Sequence, residues 1–335
     1  MGIKNLYKYI LSNNLERDLD PTKLRNKIIA IDISILLYQV VISTRSKCGV
    51  DHLSPTGEMS THVLGLFNKT IILLKKKIIP IFVFDGKPPD LKKKTLNARK
   101  DVRQKALAKL KITTDEKERI KYLKRSVSIN KKHLNECRNL LDCLGIPYVD
   151  APEEADSQCS YLAYCGLVDG VLTEDMDIFT FGSPIIYKNL YSSKKSSKII
   201  DLKEILYHND LKFDEFVEWC CLLGSDYSKG IIDLNFNEIL DLYKNQGKNI
   251  NNVIEYCNKN NLRCCPAQDY INVKKYFKNP KIINVTNKEL ELKMCDIKRV
   301  TNLMVNRFGF NKSKLIKKLS YLKNRNKYLL KRAPK

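Results

Sequence analysis

Short apolar segments that end in an acidic residue recur along the first half of the chain. They are NKIIAID (26–32), IPIFVFD (79–85), GIPYVD (145–150) and DGVLTED (169–175). Each is rich in β-branched or aromatic residues and is bounded by turn or helix signals, which is typical of strands buried on both faces. The pattern therefore predicts four buried strands.

Helical periodicity fills most of the chain between these strands. It covers 34–45 and 60–75 before the second strand, 129–145 before the third, and 152–166 before the fourth. Strands that alternate with helices predict an α/β domain with a mostly parallel central sheet flanked by helices. In such sheets ligands bind beyond the carboxyl ends of the strands, and there we expect Asp32, Asp85 and Asp175.

Charge is concentrated in two segments. The formal net charge is +23, and residues 87–132 hold 17 Lys/Arg against five Asp/Glu, while residues 311–335 hold ten Lys/Arg and no acid. Such segments indicate contact with a polyanion, most commonly nucleic acid, although solvated lysine-rich surfaces are the alternative. The first segment has few large apolar residues, so we expect a helical cap or arch that stands off the core.

Cysteine and histidine usage argues against a soft-metal or redox site. The eleven cysteines include no C-x-x-C spacing, and the four histidines include no close pair. We interpret the cysteines as small buried hydrophobic residues in a reducing compartment. Because no apolar run reaches the roughly 18 residues of a membrane helix and no secretory signal opens the chain, we expect an intracellular protein without membrane association.

Seven acidic residues at strand ends and helix starts are predicted to converge. They are Asp32, Asp85, Glu154, Asp156, Asp175, Asp177 and Asp226. One carboxylate pair about 5 Å apart repels by roughly 3 kcal/mol at an effective dielectric near 20, so we expect cations to hold the cluster. Oxygen ligands without His or Cys select Mg²⁺ or Mn²⁺, and two such ions suit hydrolysis of a phosphodiester. Taken singly, each acid also has an ordinary interpretation as a helix cap, a turn former or a solvated charge.

Local geometry limits the role of each acid. Glu154 and Asp156 are two residues apart and reach one site only at a helix start, which Pro152 favours. If residues 174–177 are extended, Asp175 and Asp177 point to the same side and Glu174 points away. We therefore predict Asp175 and Asp177 as metal ligands, assign no ligand role to Glu174, and expect Glu174→Ala to keep most activity.

Six motifs make the chain resemble the flap endonuclease family of structure-specific 5′ nucleases. They are MGIKNL (1–6), AIDIS (30–34), VFDGKPPDLK (83–92), GIPYVDAPEEADSQC (145–159), TEDMDIFTFGSP (173–184) and LLGSDY (222–227). The resemblance implies a 5′-nuclease (PIN-like) fold and two catalytic Mg²⁺ ions, replaceable by Mn²⁺, on the seven acids. It also implies cleavage of branched DNA at the base of 5′ flaps, with 5′→3′ exonuclease activity, in DNA replication and repair.

The resemblance further implies roles for basic and aromatic residues. Lys92 and Arg99 would grip the scissile phosphate and stabilise developing charge. Further DNA contacts are predicted at Gly2, Tyr38, Arg45, Lys69 and Arg103. Among these, Tyr38 would stack on a displaced base, and Gly2 would carry a free amine near the site after removal of Met1. A single-stranded 5′ flap would pass through the basic arch.

The chain departs from the family pattern in three places. Asp156 stands where the eukaryotic pattern usually has Glu. Residues 228–240, SKGIIDLNFNEIL, lack the Gly-Ile-Gly-Pro hairpin, which puts the K⁺ site and its grip on the duplex in question. No Gln occurs after Gln268, so we do not predict sliding-clamp binding through a C-terminal box.

We divide the chain into five predicted regions. They are 1–99 and 131–227 for the nuclease domain, 100–130 for the arch, 228–310 for a smaller helical duplex-binding part, and 311–335 for a basic tail that adds DNA affinity. We expect a monomer, in the nucleus of a eukaryotic cell or at a cytoplasmic replication site of a virus. The alternatives are a sister 5′→3′ exonuclease or gap nuclease, a non-catalytic DNA-binding relative, and an aspartyl phosphatase. The phosphatase would need a second Asp at the position of Ser34.

Overall fold

The fold is that of a computed structural model, in which residues 2–192 and 194–332 are described, with side chains as far as residue 323. The described residues form seven strands and fifteen α-helices. The strands are β1 (Glu16–Leu19), β2 (Ile28–Asp32), β3 (Ile79–Phe84), β4 (Tyr148–Asp150), β5 (Val171–Leu172), β6 (Ile185–Lys188) and β7 (Ser197–Asp201).

Helices occupy most of the remaining chain. In chain order they are α1 (Leu6–Ser12), α2 (Ile33–Cys48), α3 (Thr61–Lys75), α4 (Lys93–Ile112), α5 (Glu116–Arg125), α6 (Lys131–Leu144), α7 (Ala155–Tyr164), α8 (Asp177–Thr180), α9 (Leu202–Asn209), α10 (Phe213–Leu223), α11 (Phe236–Asn245), α12 (Ile250–Lys259), α13 (Ala267–Lys278), α14 (Ile297–Thr301) and α15 (Lys312–Arg332). Short 3₁₀ turns cover Pro21–Leu24 and Asp90–Lys92, and a π-helical turn covers Asn302–Arg307. Among the described residues, no helix is both long and apolar enough to cross a membrane.

The chain folds into two compact units. Unit 1 comprises Met1–Lys23, Asp85–Leu96 and Asp150–Asn284, and unit 2 comprises Leu24–Phe84, Asn97–Val149 and Val285–Lys335. These boundaries differ from our predicted regions, since the expected duplex-binding part 228–310 is shared between the units. The basic tail forms α15 up to Arg332, and residues 333–335 lie outside the described residues.

Strand pairing is both parallel and antiparallel. In unit 2, β2 pairs with β3 in parallel, with Ile28 opposite Ile79 and Asp32 opposite Val83. In unit 1, β5 pairs with β6 in parallel, whereas β7 is antiparallel to both β6 and β1. The predicted α/β class is confirmed, and so are the four predicted strands. The sequence did not predict β1, β6 or β7. The strands β1 and β7 are largely polar and partly exposed and so lack an apolar run, while β6 is mostly buried but has an apolar run of only three residues.

Each unit has its own aromatic core. In unit 1, Trp219 is fully buried and stands edge-on to Tyr9, with ring centroids 5.0 Å apart. In unit 2, Phe67, Phe82 and Phe84 are fully buried. Phe82 and Phe84 lie on β3, so their burial fixes the backbone of the strand that precedes Asp85.

Candidate functional site

Asp32 lies in unit 2, at the carboxyl end of β2. Its Oδ1 accepts hydrogen bonds from the backbone N–H groups of Ser34 at 2.6 Å and Ile35 at 3.2 Å, and so caps α2. A strand that ends where a helix begins thus holds this carboxylate in a buried position. Unit 1 carries the other six predicted acids.

Asp85 and the start of α7 are tied together in unit 1. The backbone N–H of Ala155 donates to Oδ1 of Asp85 at 2.9 Å, and that of Gly86 donates to the carbonyl of Glu153 at 2.6 Å. A Cβ at Gly86 would collide with the carbonyl oxygens of Ala151 and Pro152, so only glycine allows this approach. The loop after β3 and the helix start are therefore held as one rigid structure.

Glu154 is held by several side chains of unit 1. It occupies the N-cap of α7 and is buried. The Lys92 ammonium pairs with Oε1, while the Tyr227 hydroxyl donates to Oε2, as does the Tyr276 hydroxyl at 3.1 Å. Asp156, two residues on, is buried in the first turn of the same helix, as predicted.

Asp175 and Asp177 are adjacent and buried, but the extended backbone predicted for 174–177 is wrong. The chain turns after β5, and Asp177 begins α8. The backbone N–H of Asp177 donates to Oδ1 of Asp175 at 3.2 Å, so a turn rather than strand alternation brings the two residues together. Gly2 lies against both, because a Cβ on Gly2 would collide with Oδ1 of Asp175 and approach the Asp177 nitrogen to 2.7 Å.

Glu174, to which we assigned no ligand role, pairs with a buried lysine. Its carboxylate lies 3.0 Å from the ammonium of Lys188, which is only 3% exposed. The same ammonium lies 3.5 Å from Glu16 and over the ring of Tyr7. Glu174 therefore helps to neutralise a buried cation.

Asp226 follows α10 in the loop that the LLGSDY motif forms. Its carboxylate lies 3.7 Å from the Lys92 ammonium, and its carbonyl accepts from the Thr95 hydroxyl at 2.5 Å. The N-terminal segment braces this loop, since the backbone N–H of Lys4 donates to the Gly224 carbonyl at 2.9 Å. Lys92 thus lies between Glu154 and Asp226.

Burial and like charge disfavour ionisation of Asp175 and Asp177. Burial raises the pKa of Asp175, and burial together with the Asp175 charge raises the pKa of Asp177 well above its usual value. Although burial lowers the pKa of Lys92, the hydrogen bond to Glu154 and the charges of Glu154, Asp156 and Asp226 together outweigh this effect and raise it. The atoms that these acids offer to a metal are carboxylate oxygens, which are suitable ligands for a hard divalent cation.

A buried oxygen supports this fit. Oδ1 of Asp177 is buried and makes no hydrogen bond within the described part of the chain. Burying a carboxylate oxygen without a partner costs free energy, and a bound cation would supply that partner. As the described side chains stand, however, no three His, Cys, Asp or Glu residues are grouped to hold a metal. Side-chain partners, above all Lys92, Tyr227 and Tyr276, engage Glu154 instead.

The predicted basic and aromatic contacts of unit 2 occupy different environments. Tyr38 on α2 and Arg99 on α4 are exposed, and Lys69 is half-buried, which lowers its pKa. Arg103 donates to the Ser128 hydroxyl at 3.4 Å. Arg45 pairs with Asp51 at 2.8 Å and donates to the Leu123 carbonyl at 2.6 Å, so it fastens α5 to α2.

Residues 228–240 stand where the family has its Gly-Ile-Gly-Pro hairpin, and here they lead into α11, which is capped by its own side chains. Asn235 accepts from the backbone N–H groups of Asn237 and Glu238, and the Glu238 carboxylate accepts from the Asn235 N–H at 2.7 Å. The first N–H groups of α11 are thus satisfied within the helix, and an acidic side chain lies beside them. This arrangement disfavours a phosphate at the start of α11.

Two tyrosines of the site carried no predicted role. Tyr227 follows Asp226 directly in the LLGSDY motif, so its proximity to the acids had a local signal. Tyr276 had none, because it reaches Glu154 across 122 residues of chain. Burial raises the pKa of both hydroxyls, which keeps them protonated as donors.

Comparison with known proteins identifies related chains. The XPG N-terminal domain family matches residues 1–106, and the XPG I-region family matches residues 145–226. Flap endonuclease 1 of Glycine max is 36% identical over 96% of this chain and 87% of its own length. Flap endonuclease 1 of Methanococcus aeolicus is 32% identical over 92% of this chain and 93% of its own.

Solved structures show the same fold. The flap endonuclease of Methanococcus jannaschii superposes with a TM-score of 0.73 at 28% identity, covering 93% of this chain and 96% of its own. The catalytic core of Rad2, solved with a DNA substrate, gives a TM-score of 0.76 at 25% identity, covering 96% of this chain and all of its own. With the acidic motifs in the matched segments and near-complete coverage of its relatives, this chain belongs to the flap endonuclease family.

Proposed function

We propose that the protein is a divalent-metal-dependent nuclease that hydrolyses DNA phosphodiesters at the base of 5′ flaps and degrades DNA from 5′ ends. The observation that carries this proposal is the acidic group of unit 1, in which Glu154, Asp156, Asp175 and Asp177 are buried, and the Lys92 ammonium pairs with Glu154 and lies 3.7 Å from Asp226. The names of its relatives and the DNA bound to the Rad2 core support a branched DNA substrate.

The acids supply the charge that such a reaction needs. Asp85, Glu154, Asp156, Asp175, Asp177 and Asp226 would hold the cations in unit 1, and Asp32 stays a predicted ligand from unit 2. Bound Mg²⁺, with Mn²⁺ as a substitute, would supply Lewis-acid stabilisation of the phosphodiester. The tie between Asp85 and Ala155 and the turn that joins Asp175 to Asp177 hold the carboxylates in place before substrate binds.

Lys92 is suited to bind the substrate phosphate. Its side chain is 13% exposed, and its ammonium is fixed by Glu154 and Asp226. The raised pKa keeps it charged, so it would orient a phosphate oxygen and stabilise developing negative charge. Arg99, exposed on α4, would add a second contact from a helix that carries many Lys and Arg residues.

Cleavage of end-labelled DNA tests this proposal. Wild type, Asp175→Ala and Asp241→Ala are incubated with 5′-flap, nicked, gapped and bubble duplexes in Mg²⁺ or in EDTA. Asp241 is an exposed acid on α11 and controls for loss of one carboxylate. We expect Mg²⁺-dependent cleavage at the flap base by wild type and by Asp241→Ala. For Asp175→Ala we expect a loss of at least about 100-fold, because metal-centred charge stabilisation contributes several kcal/mol.

The substrate series separates the alternatives. Preference for nicked or gapped duplexes over flaps would favour the sister exonuclease. Binding of DNA without cleavage in Mg²⁺ or Mn²⁺ would favour a non-catalytic relative. Equal cleavage by Asp175→Ala and wild type would refute the assignment of this acid.

A further inference from the structure

Two phenol hydroxyls converge on one carboxylate oxygen in unit 1. Tyr227 and Tyr276 both donate to Oε2 of Glu154, whereas the Lys92 ammonium donates to Oε1. The two oxygens of this carboxylate thus have different chemical neighbours. A carboxylate with one oxygen held by hydroxyl donors has a fixed rotation about its terminal bond, which a freely rotating side chain lacks.

Aromatic packing fixes the two phenols themselves. The rings of Tyr227 and Tyr276 lie 5.1 Å apart, and Phe181 stands edge-on to Tyr276 at 5.7 Å. Phe277 stands edge-on to Tyr227 at 5.4 Å and to Phe181 at 5.1 Å. Edge-to-face pairs at these distances are favourable, so neither hydroxyl can swing away without disturbing the cluster.

Ion pairs hold the helix that carries Tyr276. On α13, Lys274 pairs with Glu218 of α10, and Lys278 pairs with Asp214 of α10 at 2.7 Å. Tyr276 lies between these two lysines in sequence, on a helix that is held at two points one turn apart. The hydroxyl is therefore placed at Glu154 by the packing of α13 on α10.

We propose that Tyr276 is a positioning residue for the reaction, which holds Oε2 of Glu154 so that Oε1 remains oriented toward Lys92 and toward a divalent cation. This proposal rests on the proposed function. It assigns a role in that function to a residue that lies outside the acidic motifs. Removal of a side chain that orients a metal ligand typically costs 10- to 100-fold in metal affinity or activity.

The test compares two Tyr→Phe variants on the same helix. Tyr276→Phe removes the hydroxyl at Glu154. Tyr270→Phe removes a hydroxyl that accepts from the backbone N–H of Cys265 at 3.2 Å and is therefore a matched control. For each protein we would measure Mn²⁺ binding by isothermal titration calorimetry, kcat and KM on 5′-flap DNA, and the midpoint of thermal unfolding.

We expect Tyr276→Phe to bind Mn²⁺ about 10-fold more weakly and to lower kcat about 10-fold, with KM for DNA within about 2-fold of wild type. Tyr270→Phe should leave Mn²⁺ binding and kcat unchanged and affect only thermal stability. In a Glu154→Gln background, where the ligand carboxylate is already lost, Tyr276→Phe should not weaken Mn²⁺ binding further.

Three results would overturn the proposal. They are wild-type Mn²⁺ binding by Tyr276→Phe, equal losses in the two Tyr→Phe variants, and absence of Mn²⁺ binding by wild type. Failure of the proposed function gives a different pattern. If wild type binds Mn²⁺ but leaves every DNA substrate intact, the nuclease assignment fails, while the calorimetric comparison still decides the role of Tyr276.

Discussion

Gly2→Ala provides a sharp test of the site's geometry. Gly2 has φ of +77°, which an L-residue rarely adopts, and an added Cβ would overlap Oδ1 of Asp175 and stand 2.7 Å from the Asp177 nitrogen. The strained φ alone costs about 1 to 2 kcal/mol. Relief of the overlap requires the Asp175 carboxylate to move by about 1 Å, and a displacement of that size costs about 100-fold in rate.

The matched control is Gly166→Ala. Gly166 has φ of +71° and nothing within 4 Å of an added Cβ, so it has the same backbone strain without the overlap. We expect both variants to lose about 1 kcal/mol of unfolding free energy. Only Gly2→Ala should lose about 100-fold in single-turnover cleavage of flap DNA, equivalent to about 2.7 kcal/mol of barrier. Cleavage by Gly2→Ala within 3-fold of Gly166→Ala would refute this reasoning.

Two further predictions concern stability. Lys188→Met leaves the nearly buried Glu16 without its cation, so it should lower the free energy of unfolding, measured in urea, by about 3 kcal/mol or more. The Glu174 side chain is 45% exposed, so Glu174→Ala should lower it by less than about 1 kcal/mol and keep most flap cleavage. Equal costs would contradict the view that Lys188 is the central member of this network. Burial lowers the pKa of His62 to about 4, although its hydrogen bond to Glu136 opposes the shift. Because the unfolded chain binds this proton near pH 6.5, the unfolding free energy should fall by up to about 3 kcal/mol as the pH drops from 6.5 to 4. His62→Gln should remove that part of the pH dependence, and an equal slope in both proteins would exclude His62 as its source.

The sequence alone determined the order of the buried strands and the place of the acids at their ends. Asp32 and Asp85 follow apolar runs directly, and Glu154 and Asp156 follow Pro152 at a helix start, so their backbone settings depend on neighbours a few residues away. Such settings follow from local periodicity and capping. The same reasoning failed at 174–177, where the short strand β5 ends early and a turn replaces extended chain.

Only the tertiary structure decided which distant groups surround each acid. Tyr276 contacts Glu154 because α13 packs on α10, and Lys188 meets Glu174 because β6 lies beside β5. Arg45 stays a predicted DNA contact, and the structure adds that its guanidinium pairs with Asp51 and donates to the Leu123 carbonyl. The physical reason is that local patterns report which side of an element is buried, whereas partners far apart in the chain depend on how whole elements pack, and no short stretch of sequence encodes that packing.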